Sequence, residues 1–138
     1  MDVERLRRLP LFGELDHHDL SQLLRWVREV DVPDGDLMFE QGSVPHDLFV
    51  IEEGSLEIVR DGERVAMLGP GDVVGEMAVL KLERRWASGS AVGHVRAVSL
   101  DTDDLASMSE QMPELADRLR EIMHRREREN EASTENEA

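Results

Sequence analysis

Leu56–Leu68, LEIVRDGERVAML, is the stretch whose reading decides the fold. Two short runs of β-type composition, LEIVR and ERVAML, flank the pair Asp61-Gly62. Asp and Gly both tolerate the positive φ that the two central positions of a tight hairpin demand, so the two runs are read as antiparallel neighbours. The pattern continues outward in both directions. Glu29–Val32, Leu37–Gln41 and Leu48–Glu52 precede the hairpin as candidate strands, Leu56–Arg60 and Arg64–Leu68 form it, and Ser88–Val92 and Arg96–Asp101 follow it. The breaks have turn chemistry: Pro33-Asp34-Gly35, Gly42-Ser43, Glu53-Gly54 and Gly69-Pro70-Gly71. Many short strands at this spacing predict a mainly β fold, an antiparallel β-roll of the jelly-roll type, rather than a parallel sheet.

Helices are expected on both sides of the roll. Residues 4–9 read as a turn or two of helix stopped by Pro10. Asp16 is an N-cap for a second helix in which Leu20, Leu23, Leu24 and Val27 recur at helical spacing. After Leu100 the period changes. Asp101–Glu110 reads as helix, with Leu105 and Met108 on one face. Pro113 starts a last helix carrying an apolar stripe of Leu115, Leu119, Ile122 and Met123. The expected division is N-terminal helices over 1–28, a β-roll over 29–101, C-terminal helices over 102–128 and a disordered acidic tail over 129–138.

Composition limits function. The 138 residues suit one domain with a sizeable core, and the chain carries 31 acidic against 16 basic residues for a formal net charge of −15. Such a balance opposes general attraction to nucleic acid or to an anionic membrane, so an anionic ligand needs a local site. Absence of cysteine excludes disulfides and thiolate metal sites and favours a cytoplasmic setting. The charged start, MDVERLRRLPLF, has neither a signal peptide nor a membrane span. His17 and His18 diverge on a helix, and His46 and His94 stand alone, so the histidine clusters of a metal-dependent enzyme on a similar roll are missing. No nucleophile-and-base motif such as G-x-S-x-G occurs, and the expectation is a protein that is not an enzyme.

The local anion site is read in Gly69–Ser90, GPGDVVGEMAVLKLERRWASGS, where a glycine-punctuated strand, Gly69–Val74, runs into a short helical pattern. Glycines let backbone approach a ligand, and a short helix after Gly75 would aim its free N–H groups at an anion. The helical pattern ends in Arg84 and Arg85, and an arginine close in space could clamp a phosphate with a two-pronged hydrogen bond. Glu76 adds a carboxylate, which suits a ligand carrying both a phosphate and a hydroxyl.

These segments together resemble the cyclic nucleotide-binding domain family. The residues that carry the resemblance are Leu9–Leu15, Pro33-Asp34-Gly35 through Phe39 to Gly42, the cassette Gly75-Glu76-Met77-Ala78-Val79-Leu80, and Arg85-Trp86-Ala87-Ser88, in the family's order and flanked by helices. The resemblance implies that Glu76 accepts from a ribose 2′-hydroxyl and that Arg85 pairs with the cyclic phosphate. It also implies that backbone N–H groups at Gly75, Met77, Ala78, Trp86 and Ala87 complete the site, with cyclic AMP as first ligand and cyclic GMP as second. It implies further that the last helix, through Leu119, Ile122 and Met123, reports binding. Without a catalytic or DNA-binding segment in the chain, the expected output of this stand-alone sensor is a protein partner or a homodimer. The sequence departs from the family at Lys81-Leu82-Glu83-Arg84, at Gly89, and at Trp86, where a small residue is usual. An alternative follows from the last departure: a pocket plugged by the indole, in a fold that serves as an interaction module.

Overall fold

The computed structural model describes residues 1–75 and 83–133. Its six strands, β1 (Arg28–Val32), β2 (Leu37–Phe39), β3 (Asp47–Arg60), β4 (Glu63–Leu68), β5 (Val73–Val74) and β6 (Ser88–Asp101), pair antiparallel throughout. Among the described residues four helices flank them: α1 (Val3–Arg7), α2 (His17–Leu23), α3 (Thr102–Gln111) and α4 (Pro113–Ser133). The architecture is the expected mainly antiparallel β-roll with helices before and after it.

Two long strands form the spine. β3 and β6 pair from Asp47↔Asp101 to Val59↔Ser88, and β6 also takes β1 and β2 while β3 takes β4 and β5. Here the structure departs from the sequence reading, which broke each spine strand in two. Glu53-Gly54 is an irregularity inside β3, where the register shifts on either side of Glu53, and not a turn between strands. Gly54 has φ +94°, and a Cβ there would overlap the His94 carbonyl oxygen and lie 3.0 Å from the Val95 Cα. A bulge bends a strand without ending it, so one strand serves both ends of the roll. A second difference lies at Gly69–Val74, of which only Val73–Val74 is strand. The side chain of Asp72 accepts from the Gly69 N–H at 2.7 Å and holds the preceding residues in a turn.

The hairpin forms as expected, with φ of 52° at Asp61 and 83° at Gly62. Its tip is held from outside by Gln41, whose Oε1 accepts from the Asp61 N–H at 3.0 Å and whose Nε2 donates to the Asp61 carboxylate at 2.9 Å.

Alternation along β3 divides the interior into two cores. Leu48 and Val50 face the helices with Leu6, Phe12, Leu20, Leu23, Met108, Leu115, Leu119 and Met123, whereas Phe49 and Ile51 face the roll with Leu56, Ile58, Val74, Ala91 and Val95. The α2 helix stops at Leu23, short of the expected Val27, because the chain must extend into β1 at Arg28. Asp16 caps it through the Asp19 N–H at 2.8 Å, and Asp101 caps α3 through Asp103 and Asp104 at 2.6 and 3.1 Å. Asp19 in turn binds Arg118 on α4 through two hydrogen bonds of 2.8 and 2.6 Å. The α4 helix continues five residues past Arg128 into the segment expected to be disordered, since Glu-Asn-Glu-Ala-Ser contains no Gly or Pro to stop it.

Candidate ligand-binding site

The site is built where β2, the start of β3 and the approach to β6 converge. Arg85 lies just ahead of β6, and its backbone is fixed from both sides: its N–H donates to the Ser43 carbonyl at 2.9 Å, and its own carbonyl accepts from the Gly42 N–H at 2.8 Å. The neighbouring Arg84 adds an Nη1 donation to the Gly42 carbonyl at 2.9 Å. The Gly42-Ser43 turn, read from sequence only as a strand break, therefore anchors the arginine.

The Arg85 side chain points inward and is only 6% exposed. Its Nη2 donates to the backbone carbonyl of Asp47, and its guanidinium carbon stands 4.8 Å from the Phe39 ring centroid and 5.9 Å from that of Phe49. The two rings lie nearly parallel with centroids 6.3 Å apart. Cation–π contact supports the charge from the ring faces without using its N–H donors. Nη1 is buried and has no hydrogen-bond partner among the described residues. A charged donor in that position is costly, and burial pulls the guanidinium below its ordinary value while Asp47 opposes the shift. Arginine nevertheless stays protonated, so the site holds a fixed positive charge with a donor to offer.

Gly75 makes room for that charge. It has φ +83°, and a Cβ at this position would overlap Nη1 of Arg85 and lie 3.0 Å from its Cζ. Gly89, where the sequence departs from the family, has a similar steric role: its added Cβ would meet the Phe39 ring at 2.6 Å. Glycine here lets Phe39 lie flat across β6 and under the guanidinium.

The arginine borders a cavity of about 320 Å³, with Phe39, Phe49, Ser43, Val44 and Asp47 among its walls. That volume falls at the small end of the roughly 300–1,000 Å³ typical of small-ligand sites. Its lining combines apolar and aromatic side chains with a buried cation and polar atoms, a mixture suited to an anion attached to a flat organic group.

Of the sequence-derived site residues, the structure brings Gly75 and Arg85 together. Ala87 is buried in the roll core beside them. Glu76, Met77 and Ala78 lie outside the described residues. Trp86 is 40% exposed, has the Arg60 guanidinium 4.7 Å above its ring, and is not among the residues that line the cavity. The plugged pocket of the alternative reading is thus not the arrangement found; successive side chains of an extended segment point to opposite sides, and Arg85 takes the inward one. Leu119, Ile122 and Met123 pack in the helix-side core and do not line the cavity either.

Sequence reading missed Asp47 and the aromatic floor of Phe39 and Phe49. Phe39 belongs to the quoted Pro33–Gly42 motif, but nothing in the pattern says that its ring lies under an arginine. The signal for Asp47 is faint: an acid directly before the apolar run Leu48–Ile51. Burial, then repulsion from Asp101, raises its carboxyl above the ordinary 3.8, while Arg85 opposes the rise.

Comparison with known proteins bears on the family and the fold. Residues 29–112 match the family model described as the cyclic nucleotide-binding domain. A CRP-like cAMP-activated global transcriptional regulator of Mycobacterium tuberculosis is 31% identical over 128 residues, which covers 89% of this chain and 57% of the regulator. The chain thus spans a little over half the length of that relative. The crystal structure of the N-terminal domain of a transcriptional regulator from Streptomyces coelicolor superposes with a TM-score of 0.78 at 31% identity, covering 100% of this chain and 99% of that one. The catabolite activator protein of Thermus thermophilus gives a TM-score of 0.72 at 29% identity, covering 90% of this chain and 61% of the other.

Proposed function

Because the chain belongs to the cyclic nucleotide-binding domain family, we propose that it binds a 3′,5′-cyclic nucleotide, cyclic AMP first, in the cavity beside Arg85. The observation that carries this reading is the buried Arg85 guanidinium with Nη1 directed at the Cβ-less face of Gly75. A cyclic phosphate supplies the acceptor that this donor lacks among the described residues, and the aromatic and aliphatic side chains of the lining receive the sugar and base. Glu76 is assigned the ribose 2′-hydroxyl, the free hydroxyl that a 3′,5′-cyclic phosphate leaves. Backbone N–H groups of Gly75, Met77, Ala78, Trp86 and Ala87 are assigned to the phosphate. A binding module, not an enzyme, is the role this supports.

The second part of the proposal concerns output. Binding shifts α4, and a protein partner or a second copy reads its position. The α4 helix is attached to the helix-side core by Leu115, Leu119, Ile122 and Met123 and to α2 by the Asp19–Arg118 pair, so it has a defined resting position to leave. A cytoplasmic setting is part of the same proposal. Among the described residues no helix is long and apolar enough to cross a membrane.

Isothermal titration with cyclic AMP and cyclic GMP tests the binding. A saturable heat with cyclic AMP that Arg85→Lys weakens at least about tenfold is expected, the size of one charge-assisted hydrogen bond. A folded protein that gives no heat at high micromolar ligand would end the proposal.

A further inference from the structure

Asp47 places an acid in the wall of a cavity whose use, on the reading above, is to receive an anion. Its backbone carbonyl already takes a hydrogen bond from Nη2 of Arg85, and its side chain helps to balance the same buried guanidinium. We propose that Asp47 is a built-in counter-ion to Arg85 that limits the affinity of this site for a phosphate ligand. The inference rests on the cyclic nucleotide reading of the cavity.

The electrostatics work in two directions. Without ligand, the nearby carboxylate offsets part of the cost of burying Arg85. With ligand, an anionic phosphate on Arg85 comes to share one small cavity with a second negative charge, and like charges so placed repel. The groups that act on Asp47 come from several elements: Arg85 from the approach to β6, Asp101 as its register partner on β6, His46 just ahead of it, and Arg28 on β1. Asp101 adds negative charge and Arg28 positive. The carboxyl of Asp47 is already displaced toward its neutral form by burial and by Asp101, so a bound phosphate pushes it further the same way. Phosphate binding is then coupled to proton uptake, and affinity falls as pH rises.

The test compares the full chain with Asp47→Asn, which keeps the shape and removes the charge, using cyclic AMP and uncharged adenosine as probes at pH 7.5 and 5.5. Asp47→Asn is expected to bind cyclic AMP about three- to tenfold more tightly at pH 7.5. Adenosine affinity should be unchanged. The unmodified protein should bind cyclic AMP more tightly at pH 5.5 than at 7.5, and the difference should be smaller in Asp47→Asn. Equal or weaker cyclic AMP binding by a folded Asp47→Asn, an equal gain for adenosine, or a pH slope as steep after the substitution as before it overturns the counter-ion role while leaving the nucleotide reading intact. Should Asp47→Asn fail to fold, the unmodified protein's own pH dependence decides, and a flat profile overturns the proposal. No cyclic AMP binding by either protein at either pH overturns both readings.

Discussion

The Arg85 guanidinium packs onto the bare Cα of Gly75, so closely that any side chain at position 75 would occupy the space of Nη1. Backbone and cation hold each other in place. The positive φ of 83° that lets the chain leave β5 toward the site is also one that only glycine adopts cheaply.

Gly75→Ala therefore carries two penalties, a strained backbone and a displaced arginine. We expect a stability loss of about 1–3 kcal/mol by urea denaturation. Titration should show cyclic AMP affinity reduced at least about tenfold, because the phosphate donor is no longer where the cavity needs it. Unchanged affinity would show that Arg85 is not held by Gly75.

Arg85→Lys separates charge from geometry. Lysine keeps a positive charge but cannot reach the Asp47 carbonyl and a phosphate with one planar fork, nor spread its charge over Phe39 and Phe49 in the same way. Binding should fall by about tenfold or more, with the unliganded protein changed by no more than about 1–2 kcal/mol, since removal of a costly buried guanidinium offsets its lost contacts. A large stability loss with normal binding would assign Arg85 to the fold alone.

The pair that ties α2 to α4 is asymmetric. The Asp19 side chain is 4% exposed and that of Arg118 is 47% exposed. Arg118→Ala leaves a carboxylate buried beneath the last helix, whereas Asp19→Ala leaves a cation that can turn to water. Arg118→Ala should cost about 1–3 kcal/mol in urea unfolding and Asp19→Ala less than that. The reverse order would show that the pair does not hold α4 down.

Acid should weaken the junction of α1 with the sheet. Glu52 accepts two hydrogen bonds from Arg5, at 2.9 and 2.7 Å, and these hold its carboxyl below the ordinary 4.5. A depressed carboxyl contributes stability that is present above pH 4.5 and lost as pH falls through the lower folded value. Glu52→Gln should therefore be less stable than the unmodified protein at pH 7, with the gap closing below about pH 4.5 in thermal melts. A gap that stays constant with pH would assign the loss to packing.

How much of this was legible in the chain depends on how local the cause is. The Asp61-Gly62 turn, the cap at Asp16 and the apolar stripe of α4 each arise within a few residues, from φ preference, side-chain reach and helical period, and the structure has them all. Glu53-Gly54 has the same local chemistry as a turn yet sits inside a continuous strand. Pairing with β6 over eleven registered positions outweighs the glycine's preference and turns a break into a bulge. The end of α4 likewise ran past the polar tail that composition alone reads as disordered.

The site shows the same boundary. Sequence alone determined that this chain would make an antiparallel roll and would carry Gly75 and Arg85 in one candidate anion site, because residue type and spacing encode turns, periods and a motif. Only the tertiary structure decided that Arg85 points inward onto Gly75 while Trp86 turns out beneath Arg60, and that Asp47 shares the arginine's cavity. Direction and company depend on strands far apart in the chain, β2, β3 and β6, meeting at one place. No local preference of a single residue carries that information.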